Sequence, residues 1–273
     1  MSKARPRMTI TIATITRITT TTIMSTAPTA VTTTTTTGAR MRSENAEPSG
    51  VGDLPLLLWL SPAFPVGSYA YSHGLEWAVE AGDIVDAASL GVWLDDLLHN
   101  GAPRSDAALF ACAFRATHGA DWRALGEINE LAVALCGASE RRLETLAQGG
   151  AFLTAIRAAW PCPAIDQWPQ DLAAPVAYPV AVALAAAGHG FSIQASLQAF
   201  LLGLFANLVS AAIRLGAIGQ TDGQRILAAL TPNLRAQALA LADATLDDLG
   251  TCALRSDIAA MKHETQYSRL FRS

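Results

Sequence analysis

Three polar side chains that follow Tyr69 are spaced so that they could share chemistry. In a helix, His73, Glu76 and Glu80 follow Tyr69 at steps of four, three and four residues, which puts all four on one face. An imidazole and carboxylates so spaced can share a metal ion, so a metal-dependent helical enzyme built on His73, Glu76 and Glu80 is one hypothesis. The alternative is an exposed polar face, because a helical metal site draws ligands from several helices and no second His/carboxylate pair stands out. We predict no metal ligand and no bound cofactor.

Two serines beside this face do not predict a nucleophile. Neither Ser68 nor Ser72 lies in a Gly-x-Ser-x-Gly turn, and a serine adjacent to His73 in sequence does not make a triad. Ser68 is better placed as an N-cap, whose hydroxyl accepts from an N–H of the first helical turn. We therefore predict no catalytic residue and a protein that is not an enzyme.

The C-terminal tail, residues 264–273, holds a second group of candidate residues. Arg269 and Arg272 flank Leu270 and Phe271, and arginine and aromatic side chains are enriched at protein interfaces. The alternative is a frayed terminus, which is common where nothing holds the last residues. We predict that the tail binds a partner.

The segment that leads into the His73 face must turn sharply. Pro62 and Pro65 lack a backbone donor, and Gly67 can adopt a φ that other residues avoid. We call residues 61–74 the elbow, and we predict a turn up to Ser68 and a continuous helix from there to about Glu80.

Helical spacing of apolar residues dominates the rest of the chain, and no strand-like alternation is sustained outside a threonine-rich N-terminus. The charged pattern of Glu140, Arg141 and Glu144 is typical of a solvated helix face. Three prolines within residues 160–169 predict a loop. We predict a single all-α domain over residues 51–273, with about eight to ten helices and no sheet. The expected helices cover residues 54–60, 103–118, 139–160, 173–187, 191–215 and 221–230, and others begin near Asp86, Asp121, Thr231 and Ser256.

Composition excludes several classes of function. Residues 51–273 hold 13 Lys/Arg and 21 Asp/Glu, and this acidic balance argues against nucleic acid as a partner. The only lysines, Lys3 and Lys262, do not follow glycines as a P-loop requires. No two of the four cysteines have the spacing of a zinc knuckle.

Residues 172–213 contain no Asp, Glu, Lys or Arg, so two membrane spans must be considered. Alanine, proline and Gly-His-Gly fill the first half, and Gln194, Gln198 and Asn207 interrupt the second. A helix that is apolar on all sides is equally expected at the centre of a soluble helical domain. We predict no membrane span.

Residues 1–50 do not resemble a folded domain. They hold sixteen threonines within the first 37 positions, six Lys/Arg and only two acidic residues. This composition is compatible with an organellar transit peptide. Repeated β-branched threonine and the lack of an amphipathic pattern favour a disordered extension, or a start codon upstream of the true one.

Removal of residues 1–50 is expected to leave folding and partner binding intact. Circular dichroism and partner co-purification of the truncated chain test this expectation. A truncated chain that fails to fold or bind would contradict it.

Three stretches resemble the urease accessory protein family UreF. They are Ser-Pro-Ala-Phe-Pro-Val-Gly-Ser at 61–68 with Tyr-Ser-His-Gly-Leu-Glu at 71–76, the run Asn-Leu-Val-Ser-Ala-Ala-Ile-Arg-Leu at 207–215 with Gly-Gln-Thr-Asp-Gly-Gln at 219–224, and the final residues 263–273. The resemblance spans roughly residues 54–273 and leaves the N-terminus unexplained.

The resemblance implies an all-helical, cytoplasmic, homodimeric adaptor without catalytic activity. Members of the family join the accessory protein UreD (also called UreH) and the GTPase UreG into a complex with apo-urease, and they are thought to regulate the GTPase and nickel delivery. In the family, residues matching Tyr69 and Arg269 contribute to the GTPase-binding surface, and the tail becomes ordered when UreD/UreH binds. We therefore expect residues 267–273 to be partly disordered in the chain alone. The expected partner-binding residues are Tyr69, Tyr71, Ser72, His73, Glu76, Tyr267, Arg269, Phe271 and Arg272.

Overall fold

Helices and connecting turns make up all of the described chain. A computed structural model describes residues 54–168 and 175–273, and these contain eleven α-helices, two 3₁₀ turns at Ser68–Ala70 and Leu246–Asp248, and no strand. The all-α prediction is confirmed. The eleven helices of the described residues exceed the predicted eight to ten, and three of them have only five or six residues. Predictions on residues 1–50 lie outside the described residues. The helices are α1 Leu54–Trp59, α2 Leu75–Glu80, α3 Ala87–Asn100, α4 Ala102–His118, α5 Trp122–Ala134, α6 Ser139–Ala159, α7 Pro163–Gln167, α8 Tyr178–Gly188, α9 Ile193–Arg214, α10 Gln220–Leu241 and α11 Leu254–His263.

Helix α8 lies at the centre of the core. Its residues from Pro179 to Ala187 are all buried, with α4 and α6 packed against it. Alanine predominates in α8, which lets the neighbouring helices approach closely. Trp59, Phe152 and Phe200 fill the space beside it and are almost completely buried. Helix α10 packs along α9, and α11 packs on α2.

The predicted starts of α3 and α5 are confirmed. The Asp86 carboxylate accepts a hydrogen bond from the Ser89 N–H at 2.8 Å, and the Ser89 hydroxyl in turn accepts from the Asp86 N–H. At α5, Asp121 accepts from the Ala124 N–H at 3.0 Å. These local caps satisfy N–H groups that have no partner within the helix.

Two predictions based on proline are wrong. Helix α10 continues through Pro232 instead of ending before Thr231, because apolar residues on both sides of the proline pack along one face. These buried residues are Ile226, Leu230, Leu234, Ala238 and Leu241. Residues 160–169 are not entirely loop either: α7 begins at Pro163, where a missing N–H costs nothing in the first turn.

The elbow does not lead directly into a helix at Ser68. A 3₁₀ turn at Ser68–Ala70 is followed by an extended Tyr71, and α2 begins only at Leu75. His73 and Gly74 both have positive φ, 55° and 76°, which a right-handed helix cannot contain. The Ser68 side chain makes no capping bond. The predicted Tyr69–Glu80 helical face is therefore wrong.

Helix α9 is the one helix in the described ranges that is long and apolar enough to cross a membrane by length and composition. Half of its most apolar window is buried inside the protein. The preceding apolar helix, α8, has only 11 residues, so the pair does not have the dimensions of two spans.

Candidate partner-binding site

The C-terminal tail lies along the elbow and is fixed to it by backbone hydrogen bonds. The Arg272 N–H donates to the Ala70 carbonyl at 2.8 Å. Both the N–H and the hydroxyl of Ser72 donate to the backbone oxygen of Ser273, at 2.6 and 2.5 Å. The structure thus places the tail on the elbow, in contrast to the expectation that residues 267–273 are partly disordered in the chain alone.

The carboxylate of Glu76 binds the backbone of the tail. Its side chain is only 8% exposed, and its carboxylate accepts hydrogen bonds from the backbone N–H groups of Leu270 and Phe271, at 2.6 and 2.9 Å. It also lies 3.2 Å from Nε2 of His263. A buried carboxylate needs such donors to offset its lost hydration, so Glu76 and the tail depend on each other.

His263 connects this carboxylate to a second one. Its ring is completely buried, and Nδ1 lies 2.6 Å from Oε2 of Glu140. The ring of His263 thus lies between two carboxylates. The other oxygen of Glu140 accepts from the Arg269 guanidinium at 2.5 Å. One chain of polar contacts therefore runs from α2 through α11 and α6 to the tail.

Glu144 is the centre of a separate buried network. Its carboxylate lies 2.8 Å from His73 Nε2 and pairs with Arg141. It also accepts from Gln148 Nε2 at 2.9 Å and from the Ser273 hydroxyl at 2.8 Å. Burial by itself raises its pKa, but Arg141 and His73 outweigh burial and hold the pKa of Glu144 at about 2.

His73 is neutral in this network. Burial is the main cause that lowers its pKa below the ordinary value, with the nearby Arg141 charge second, and the Glu144 carboxylate only partly offsets them. A neutral ring that faces a carboxylate through Nε2 must carry its proton there, so Nε2–H donates to Glu144. His73 therefore serves to position the elbow against α6.

Arg214 of α9 contacts both the tail and the elbow. Its guanidinium carbon lies 4.4 Å from the centre of the Phe271 ring, and it donates to the Tyr69 carbonyl at 2.5 Å. The cation thus contacts both the tail and the elbow. Asn207, seven residues before Arg214 on α9, donates to the Tyr71 carbonyl at 3.3 Å.

The nine predicted partner-binding residues divide into two groups. Tyr71, Ser72, Glu76 and Phe271 are buried, and His73 is largely so. In the docked arrangement these five hold the tail and the elbow together. The side chains that a partner can reach are those of Tyr69, Tyr267, Arg269 and Arg272. Tyr69, with 67% of its surface exposed, is unusually accessible for so large a side chain.

The structure does not bring His73, Glu76 and Glu80 together. His73 faces Glu144, Glu76 faces His263 and the tail, and Glu80 accepts from Gln266 at 2.5 Å. Within residues 54–168 and 175–273, no group of three or more His, Cys, Asp or Glu side chains is arranged to hold a metal ion. The spacing on which the enzyme hypothesis rested is therefore not realised as a site.

Sequence reasoning missed five charged or titratable residues of the site. The pattern of Glu140, Arg141 and Glu144 predicts a solvated face, but their side chains are only 15%, 16% and 3% exposed. Arg214 and His263 were not assigned any role. The i, i+3 spacing of a charged pair is the same on a surface and in a buried network, so the pattern of α6 held no signal that could separate the two.

Comparison with known proteins identifies the family of this chain. The family model for UreF matches residues 84–231. The urease accessory protein UreF of Xanthobacter autotrophicus is 58% identical over 220 residues, which cover 81% of this chain and 90% of the relative. Those of Methylobacterium radiotolerans and Azorhizobium caulinodans are each 52% identical, over 81% and 85% of this chain and 96% and 99% of the relative. With its helical fold and with matches of this length and identity, the chain belongs to the UreF family of urease accessory proteins.

Proposed function

We propose that this protein is a non-catalytic adaptor in urease maturation. It joins the accessory protein UreD/UreH and the GTPase UreG into a complex that engages apo-urease, and through this complex it influences nickel delivery and the GTPase. It acts in the cytoplasm as a homodimer. Nucleotide hydrolysis belongs to UreG, and nickel is cargo handled by the partners. Membership of the UreF family carries this proposal, because the relatives are themselves named urease accessory proteins.

The partner-facing surface consists of Tyr69 and the exposed side chains of the tail. Tyrosine and arginine are the residues that most often dominate binding energy at interfaces. Here Tyr69 projects from the elbow beside the tail, since Arg214 contacts the backbone of Tyr69 and the ring of Phe271. The buried hydrogen bonds beneath them fix the backbone, so the exposed side chains are presented with little loss of conformational entropy on binding.

Replacing Tyr69 or Arg269 with alanine is expected to reduce recovery of UreG about tenfold or more, because loss of an interface hot spot costs about 2 kcal/mol. The test co-expresses the tagged chain with UreD/UreH and UreG and measures the amount of each partner that co-purifies. Recovery of UreD/UreH and the circular dichroism spectrum should be unchanged.

Two control variants separate contact with the partner from support of the tail. Glu140→Gln weakens the ion pair between Glu140 and Arg269 but leaves the Arg269 guanidinium available to a partner. This variant should therefore still recover UreG. Arg225→Ala removes an exposed arginine of α10 whose one ion pair within the described residues is with Asp222, and it should behave as the wild type. A folded wild-type chain that recovers neither partner would overturn the adaptor proposal.

A further inference from the structure

A cavity of about 180 Å³ lies between α4, α5, the start of α6 and α11, and His73 of the elbow is among its lining residues. Most of its wall is apolar and includes Leu97, Leu109 and Ala132. Two half-exposed side chains, Leu135 and Met261, stand among the lining residues and border its opening. Ligand sites in proteins commonly combine such an apolar wall with a few polar groups.

Two carboxylates in the lining of this apolar cavity favour a cationic ligand. Asp106 of α4 and Asp257 of α11 both line it. Among residues 54–168 and 175–273, neither side chain makes a hydrogen bond or an ion pair, whereas the neighbouring Glu76, Glu140 and Glu144 each have several partners. Burial is the main cause that raises the pKa of both carboxyl groups, that of Asp106 to about 6. A carboxylate without a partner in apolar surroundings is destabilised until a cation or donor reaches it.

The other polar groups of the lining do not fully neutralise these carboxylates. Within the described chain, Arg141 is the one cation that lines the cavity; its charge partly offsets the burial of Asp106, but its guanidinium is paired with Glu144. The imidazole of His73 is neutral, and burial keeps the Cys136 thiol protonated by raising its pKa. With Asp106 and Asp257 ionised, the lining has a net negative charge even when Arg141 is counted.

We propose that this cavity binds a guanidinium or alkylammonium group on a short apolar stem, with Asp106 and Asp257 facing the cation. The stem would lie against the leucine and alanine wall, and the charged head would meet the two carboxylates. The volume suits such a group, since an engineered cavity of about 150 Å³ holds benzene. A bare metal ion fits less well, because no group of three or more His, Cys, Asp or Glu side chains in the described chain is arranged to hold one.

The test titrates the full chain with n-butylguanidinium and with n-butylurea, a neutral probe of nearly the same shape, and follows amide and methyl NMR shifts. We expect butylguanidinium to shift the signals of Leu109, Leu135 and Met261, and to bind at least tenfold more tightly than butylurea, because hydrogen bonds to charged groups are the stronger ones. The Asp106→Asn/Asp257→Asn double variant should lose this preference. Glu130→Gln, an exposed carboxylate on α5 that does not line the cavity, should keep it.

The pH dependence of binding provides a second readout. Affinity for butylguanidinium should fall as the pH drops from 7 through 6, because Asp106 takes up a proton with a pKa of about 6. The charged and titratable groups that act on Asp106 are Arg141 and Glu144 of α6 and the nearby Cys136 thiol, while Asp257 of α11 and His73 line the same cavity. A structural role of Asp106 alone would not make the affinity of a permanently charged probe depend on pH in this window.

Each outcome bears on the proposal. Equal affinity for the two probes, or an unchanged preference in the double variant, would overturn it. If the double variant loses the probe and also fails to recover a urease accessory partner, the natural occupant is an arginine or lysine side chain of that partner. If it loses the probe but recovers every partner as well as the wild type, the occupant is a small free molecule, and the proposed adaptor function is unaffected.

Discussion

Replacing Glu144 with alanine is expected to lower the free energy of unfolding by about 3–5 kcal/mol, the usual cost of removing one partner from a buried ion pair. The variant leaves Arg141 buried without its carboxylate, and it removes the acceptor for His73 Nε2 and the Ser273 hydroxyl. Urea unfolding followed by circular dichroism measures the change.

The matched control is Glu127→Ala on α5. Glu127 pairs with Arg123 at 3.3 Å, but the two side chains are 60% and 86% exposed. Exposed pairs contribute about 0–1 kcal/mol, so this variant should remain close to the wild type. A Glu144→Ala variant that loses no more stability than Glu127→Ala would show that the α6 network does not hold the elbow in place.

The effect of Glu144→Ala should also depend on pH in a defined direction. The pKa of Glu144 falls from 4.5 to about 2 on folding, so its contribution is complete above pH 4.5 and is lost as the pH falls from 4.5 toward 2. The difference in stability between wild type and Glu144→Ala should therefore shrink as the medium is acidified.

Replacing Gly74 with alanine is expected to cost about 3 kcal/mol of stability and to loosen the tail. Gly74 has a φ of 76°, which disfavours any residue with a Cβ by about 1–2 kcal/mol. An added Cβ would also lie 2.5 Å from the backbone nitrogen of Ala260 in α11, and such overpacking typically costs about 1–3 kcal/mol. Hydrogen exchange of the Leu270 and Phe271 amides should be faster in the variant, because α2 carries the Glu76 acceptor of both.

Gly91→Ala is the control for this substitution. Gly91 lies inside α3, and an added Cβ would meet no atom within 4 Å. Alanine should therefore stabilise the protein by about 0.5–1 kcal/mol, the known penalty of glycine within a helix. If Gly74→Ala proved as stable as the wild type, the close approach of the elbow to α11 would not be a feature of the folded protein.

Local sequence signals predicted most of the helices because each signal acts within a few residues. The aspartates at positions 86 and 121 satisfy backbone groups only three residues away, and the apolar stripe of α3 is set by the helical period alone. Proline was less informative. Pro232 disfavours a helix locally, yet the packing of α10 along α9 extends over both sides of it, and tertiary contacts outweigh the local penalty.

The sequence indicated the two segments of the candidate site but not how they contact each other. The elbow motif and the tail were identified from the sequence as the two informative stretches, and the fold brings them into direct contact. Burial of the charged residues could not be foreseen, because the partners of Glu76 lie almost 190 residues or more away along the chain. A carboxylate at such a position has the same local pattern whether it faces water or a buried histidine.

The sequence by itself thus determined the all-helical class and most helix boundaries, since these depend on short-range periodicity, capping and turn chemistry, and it indicated the two segments of the candidate site. The tertiary structure alone decided which polar side chains are buried supports and which are exposed. Only chain folding brings α6, α11 and the tail around the elbow, and only there do desolvation and ion pairing give Glu144 and His73 their altered pKa values. Long-range electrostatics of this kind depends on three-dimensional distance, which the spacing of residues in the sequence does not contain.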